Sequence, residues 1–71
     1  MSFATMTRAE RAAWGRAELK ARKMALHACK SASDLVAAQR AAEERRRAIG
    51  ATRNEAAQMV SGATRENRFY E

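Results

Sequence analysis

The chain has 71 residues and a net charge of +6, with 14 Lys and Arg residues against 8 Asp and Glu residues. This length allows at most one small domain, spanning residues 1–71, with a thin core. No apolar run approaches the ~18 residues that span a bilayer, no secretory cleavage pattern opens the sequence, and the lone Cys29 cannot form an internal disulfide. These features predict a cytoplasmic protein.

Apolar residues recur at heptad spacing from Phe3 to Tyr70, which predicts helix throughout. Seven of the frame positions are alanine, and a buried methyl contributes only about 0.8 kcal/mol, against about 1.5–3 kcal/mol for a large apolar side chain. We therefore expect a narrow, weak seam that needs self-association or a partner. The frame consists of Trp14, Ala17, Ala21, Met24, Ala28, Leu35, Ala38, Ala42, Ile49, Ala56, Met59 and Ala63.

The predicted helices begin at Ser or Thr residues followed three positions later by an acid, a spacing that allows reciprocal capping. These pairs are Thr7 with Glu10, Ser31 with Asp34, and Thr52 with Glu55. Helix 1 is predicted over residues 8–30 and helix 2 over residues 32–66. The weak helix formers at 31–34 predict a hinge, and Gly50 allows a break near 50–52.

Two all-α architectures fit this pattern. In the preferred one, the two helices form an antiparallel hairpin along the alanine-rich heptad seam, and a homodimer of hairpins makes a four-helix bundle. In the other, the chain is one long coiled-coil helix, which the unbroken heptad phase favours. Arg45 and Thr52 also lie on the seam, where polar residues can specify register.

The most distinctive functional feature is a basic row at helical spacing in helix 1. Its members are three or four residues apart, so they lie along one face, and no carboxylate interrupts them. Like charges at this spacing repel, which is a stability cost that a polyanionic partner would offset. The alternative is a solvated face that keeps an alanine-rich helix soluble. The row consists of Arg16, Lys20, Lys23, His27 and Lys30.

Other residues have a plainer interpretation. In helix 2, Arg40 with Glu44 and Glu43 with Arg47 are spaced for ion pairs within the helix. Trp14 is predicted to be a packing anchor. Leu19 and Leu26, seven residues apart, form either a second contact surface or a dimer interface.

The segment from Ala48 to Arg65 resembles the helix-turn-helix of small bacterial DNA-binding proteins. A capped helix with central alanines, Ala56 and Ala57, is followed by a glycine, Gly62, and then by Thr64. The resemblance implies a turn at Gly62 and a recognition helix that enters the major groove. That helix would open with Arg65, Glu66, Asn67 and Arg68. One continuing helix is the alternative.

Nothing in the sequence indicates catalysis or a cofactor. His27 and Cys29 are two positions apart on a helix and point to nearly opposite faces, and no second Cys or His completes a zinc site. We expect a non-enzymatic binding protein without a small-molecule substrate or a membrane anchor, whose partner is nucleic acid. The alternatives are a phage-type or plasmid-type regulator that docks on an acidic protein surface, and a structural assembly subunit.

Overall fold

The computed structural model describes the backbone of residues 2–70 and the side chains of residues 2–65. A short 3-10 helix, Phe3–Thr5, precedes three α-helices: α1 (Arg8–Ala28), α2 (Ala32–Ala48) and α3 (Arg53–Tyr70). The described residues contain no strand, so the all-α prediction is confirmed. The region predicted as helix 2 is divided into α2 and α3, so the chain forms neither a two-helix hairpin nor one continuous helix.

Each α-helix begins at one of the predicted caps. The Thr7 hydroxyl accepts a hydrogen bond from the Glu10 N–H at 3.2 Å, and the Glu10 carboxylate accepts one from the Thr7 N–H at 2.8 Å. The Thr52 pair repeats this reciprocal arrangement with Glu55. These bonds satisfy backbone donors that the first helical turn leaves without partners.

The cap at Ser31 differs in one respect. Its hydroxyl accepts from the Asp34 N–H at 3.2 Å, but the Asp34 carboxylate accepts from the N–H of Lys30 at 3.0 Å. The link between α1 and α2 is therefore fastened at both of its last two residues. The break lies at residues 29–31, so helix 1 ends at Ala28 rather than at residue 30, and residues 32–34 of the predicted hinge form the first turn of α2.

The break between α2 and α3 is a glycine-dependent helix end. Gly50 has φ +72°, and its N–H donates to Arg47 while the next N–H, of Ala51, donates to Arg46. This pair of bonds around a left-handed residue is the Schellman arrangement, which Gly adopts without steric cost. The Arg46 guanidinium also donates to the Ala51 carbonyl at 2.7 Å. The chain therefore turns at Gly50, and the heptad phase does not keep the helix continuous.

The core lies where the first half of α1 crosses α3. It consists of buried apolar residues from the N-terminal segment, the α2–α3 turn and α3, with Phe3 and Trp14 packed against it. Trp14 is half-buried, in agreement with its predicted packing role. At the crossing, a Cβ added to Gly15 would overlap the carbonyl oxygen of Met59, so the backbones of the two helices approach each other closely. The central cluster is Met6, Ile49, Ala51 and Met59.

The heptad frame is buried in only one part of the chain. Ala56, Met59 and Ala63 of α3 are buried, whereas Met24 is 63% exposed and Leu35 is 43% exposed. The heptad frame was predicted to form one seam. The breaks at 29–31 and 49–52 divide the chain into three helices, and each helix packs through a different face, so the frame residues do not form one surface. The fold is also flat, with Cα extents of 37 × 31 × 17 Å. Within the described residues, none of the helices is both long enough and apolar enough to cross a bilayer.

Candidate nucleic-acid interface

The two sides of α1 have opposite characters. Gly15 and Glu18 are its buried residues. Successive helical residues are rotated by about 100°, so Arg16 and Lys20, each two positions from Glu18, lie about 160–200° around the helix from it. The members of the basic row that lie on α1 therefore occupy the side that faces away from the core.

The row, which we call the α1 stripe, is exposed along its whole length. All five of its residues, Arg16, Lys20, Lys23, His27 and Lys30, are in the exposed class. The four members on α1, from Arg16 to His27, span about 17 Å at 1.5 Å per residue, and Lys30 lies in the link that follows the helix. Half-buried Leu19 and exposed Met24 flank the row and, with four of its residues, line a shallow depression of about 330 Å³. The stripe is thus a continuous cationic ridge with apolar side chains along it.

Most of the stripe keeps its charge available to a partner. Within the part of the chain that the structure describes, the side chains of Lys20, Lys23 and His27 form no hydrogen bond or ion pair. Lys30 is held through its backbone, since its N–H donates to Asp34 and its side chain makes no such contact there. His27 lies in the last turn of α1, where the helix dipole favours positive charge.

The arginines of α2 are paired differently from the prediction. Glu43 accepts from Arg46 at 2.7 Å and lies 3.3 Å from Arg53, whereas neither Glu43 with Arg47 nor Arg40 with Glu44 forms an ion pair among the described residues. The hydrogen bond from Arg46 lowers the pKa of Glu43. Residues three and four apart are both within reach on a helix, and the turn at Gly50 brings α3 close enough to supply Arg53.

A buried carboxylate links α1 to α2. Glu18 is 3% exposed and accepts from the Arg45 Nε at 2.6 Å, from a second Arg45 nitrogen at 3.0 Å, and from the Arg22 Nε at 3.0 Å. Burial raises the pKa of Glu18, but the hydrogen bonds and charges of the two arginines outweigh it, so the pKa lies below its ordinary value. The bond to Glu18 in turn raises the pKa of Arg45. This bidentate contact fixes α2 against α1.

Sequence reasoning did not identify Glu18, although a signal was present. Glu18 is four residues after Trp14 and so shares the face that Trp14 buries. Arg45, on the predicted seam of the second helix, needs a carboxylate partner if it is covered. Together, the two positions indicate a buried ion pair between helices, which is the role of Arg45 in the structure.

The remaining predicted site residues lie on several parts of the chain. Leu26 is 65% exposed and lies beside α2, whereas Leu19 lies beside the stripe, so the two leucines belong to different surfaces. Arg65 is exposed on α3, and the side chain of Arg68 is outside the described residues. Because α3 runs through Gly62 without a break, the turn of the helix-turn-helix pattern is not formed there.

Cys29 is a half-buried residue at the C-terminal cap of α1. Its N–H donates to the Ala25 carbonyl at 3.0 Å, which places it at the end of the helix. Within the described part of the chain, no three His, Cys, Asp or Glu side chains converge in the way that metal ligands would. Comparison with protein-family models, curated proteins and solved structures finds no match to the chain.

Proposed function

We propose that the protein binds nucleic acid through the α1 stripe. The observation that carries this proposal is the position of the row: the exposed Lys20, Lys23 and His27 follow one another on the side of α1 that faces away from the core, and exposed Lys30 comes next in the link after the helix. Like charges three and four residues apart repel by a few tenths of a kcal/mol per pair. A phosphate backbone would turn this repulsion into attraction and release its own counterions.

The shape of the surface also supports a backbone contact. A single exposed helix face about 17 Å long can follow one strand or lie along the edge of a groove, and lysine ammonium groups suit phosphates as flexible point charges. Phosphate contacts of this kind position a protein without reading sequence. We therefore expect binding with little sequence preference.

Salt dependence is the direct test of this proposal. Random duplex DNA and single-stranded RNA are titrated with the protein by fluorescence anisotropy at several salt concentrations. If the stripe contacts about four or five phosphates, log affinity falls against log salt with a slope near −4. No detectable binding to either polymer at low salt, or an affinity that does not change with salt, would refute the proposal and favour an acidic protein surface as the partner of the stripe.

A further inference from the structure

The second half of the molecule has an apolar surface that the fold does not cover. None of the residues of α2 is buried. Leu35 is 43% exposed on its first turns, and Leu26 is 65% exposed on the part of α1 that runs beside it. Exposed leucines are costly in water, and these two line the same surface groove, as apolar side chains at interaction sites do.

These side chains form a groove between α1 and α2, with a volume of about 510 Å³. Its apolar lining consists of the two leucines and three alanines, Ala25, Ala38 and Ala42. Along α2 the groove extends from Leu35 to Arg45, which is about 15 Å, or three helical turns. An α-helix with apolar side chains on one face fits a groove of this length and composition.

The rim of the groove determines the charge of its partner. Three arginines, Arg22, Arg45 and Arg53, and a single carboxylate, Glu43, line it. Glu43 is already shared between Arg46 and Arg53, so it offers little attraction to further cations. Arg22 and Arg45 share the Glu18 carboxylate, and Arg53 lies 3.3 Å from Glu43. The side chains of Arg53 and Arg22 are still 80% and 43% exposed, so each can also contact a partner's carboxylate.

A second copy of the chain fits this rim poorly. Each copy carries a net charge of +6 and would bring the same arginines against those of the other. Placing like charges opposite each other across an interface suppresses association. An acidic partner would associate faster with this rim, and its carboxylates would accept charge-assisted hydrogen bonds from the same arginines.

We propose that the α1–α2 groove binds an acidic amphipathic helix of another protein. The partner's leucine-type side chains enter between Leu26 and Leu35, and its carboxylates contact Arg22 and Arg53. The groove is lined by none of the residues of the α1 stripe, so this binding and nucleic-acid binding use separate residues.

The test uses synthetic helical peptides of about 18 residues, roughly 27 Å long, titrated against the intact protein by fluorescence anisotropy. The first peptide has leucines at i, i+3, i+4 and i+7 and glutamates on its other face. The second has lysines in place of the glutamates, and the third has the composition of the first with the leucines scattered around the helix. We expect the first peptide alone to bind measurably.

Matched variants assign the binding to the groove. Leu26→Gln combined with Leu35→Gln should lower the affinity for the acidic peptide about tenfold or more. Met24→Gln should leave this affinity unchanged, although Met24 is as exposed as Leu26 (63% against 65%). Arg53→Gln should weaken it more than Arg40→Gln, because Arg40 does not line the groove. Far-UV circular dichroism checks that every variant keeps its helix content.

Three results would overturn the proposal. One is that the acidic peptide does not bind, or binds the double glutamine variant equally well. Another is that the lysine peptide binds as tightly as the acidic peptide, which would make the groove a general apolar surface. The third is a concentration-dependent dimer in sedimentation equilibrium that Leu26→Gln with Leu35→Gln dissociates, which would assign the groove to a second copy.

Discussion

The two ends of α1 are stabilised in different ways. Its first half packs against α3 and the N-terminal segment through apolar contacts, at a distance so short that Gly15 has no room for a Cβ. Its second half is joined to α2 by one bidentate ion pair and leaves Leu26 and Leu35 exposed. The packed end supplies most of the burial, and the open end presents the groove. The α1 stripe extends along the outer side of both halves.

This difference predicts unequal costs for trimming apolar side chains. Met59, 9% exposed at the packed end, should lose about 2–5 kcal/mol of unfolding free energy on Met59→Ala, because the change leaves a cavity. Leu26→Ala at the open end should change it by less than about 0.5 kcal/mol. Urea unfolding followed by circular dichroism measures both. If Met59→Ala prevents folding, Ile49→Val should give a smaller loss of about 0.5–1.5 kcal/mol. Equal losses at Met59 and Leu26 would contradict the division into two ends.

Glycine-to-alanine substitutions sharpen the comparison, because two glycines lie inside helices in opposite surroundings. Gly15→Ala should cost about 1–3 kcal/mol, since the new methyl group overlaps the Met59 carbonyl and forces α1 and α3 apart. Gly62→Ala meets open space and should stabilise α3 by about 0.5–1 kcal/mol through higher helix propensity. Thermal and urea unfolding measure the sign of each change in the free energy of unfolding. A stabilising Gly15→Ala would show that the two helices do not approach so closely.

The ion pair at the open end should also contribute measurably. Glu18→Gln leaves Arg22 and Arg45 without their shared carboxylate and should cost about 1–3 kcal/mol, whereas Glu44→Gln, on an exposed residue of α2, should cost less than about 0.5 kcal/mol. The same urea experiment at neutral pH compares them. Similar small effects at both positions would mean that Glu18 does not hold α2.

Acid should remove this contribution of Glu18. Its pKa is lowered in the folded protein from an ordinary value of 4.5, so the folded state binds the proton less readily than the unfolded state. The stabilisation is therefore fully present above the unfolded pKa and is lost as the pH falls through the folded pKa. As the pH falls below about 4.5, the difference in stability between the wild type and Glu18→Gln should shrink. A difference that is constant with pH would contradict the assignment.

Local signals in the sequence predict the helices well. The three Ser or Thr caps correspond to the three helix starts because each cap acts within four residues. The packing depends on long-range geometry and is harder to predict. Because the chain turns at Gly50, the heptad spacing does not predict which residues are buried on both sides of the turn. Leu35, a large apolar residue on the frame, is exposed because no helix covers that side of α2.

The candidate sites show the same limit. The row from Arg16 to His27 lies on one exposed helix face, as its spacing predicts. Lys30 was also predicted on that face, but α1 ends at Ala28, so Lys30 is exposed in the link instead. The pairing of Glu18 with Arg45 joins residues 27 positions apart, and the groove depends on where the hinge at Lys30 directs α2. Leu19 and Leu26 share a spacing of seven but lie beside different neighbours. The spacing of residues along the sequence therefore does not predict the contacts between helices.

The most direct test of the central claim, that α1 presents a cationic stripe to nucleic acid, compares two charge reversals with the same net change. Lys20→Glu with Lys23→Glu alters the stripe, and Arg40→Glu with Arg47→Glu alters exposed cations of α2. Anisotropy titration of duplex DNA and single-stranded RNA at low salt measures both, with circular dichroism confirming equal helicity. We predict that the stripe variant loses detectable binding while the α2 variant keeps most of it. Unchanged affinity in the stripe variant, or equal losses in the two, would contradict the claim.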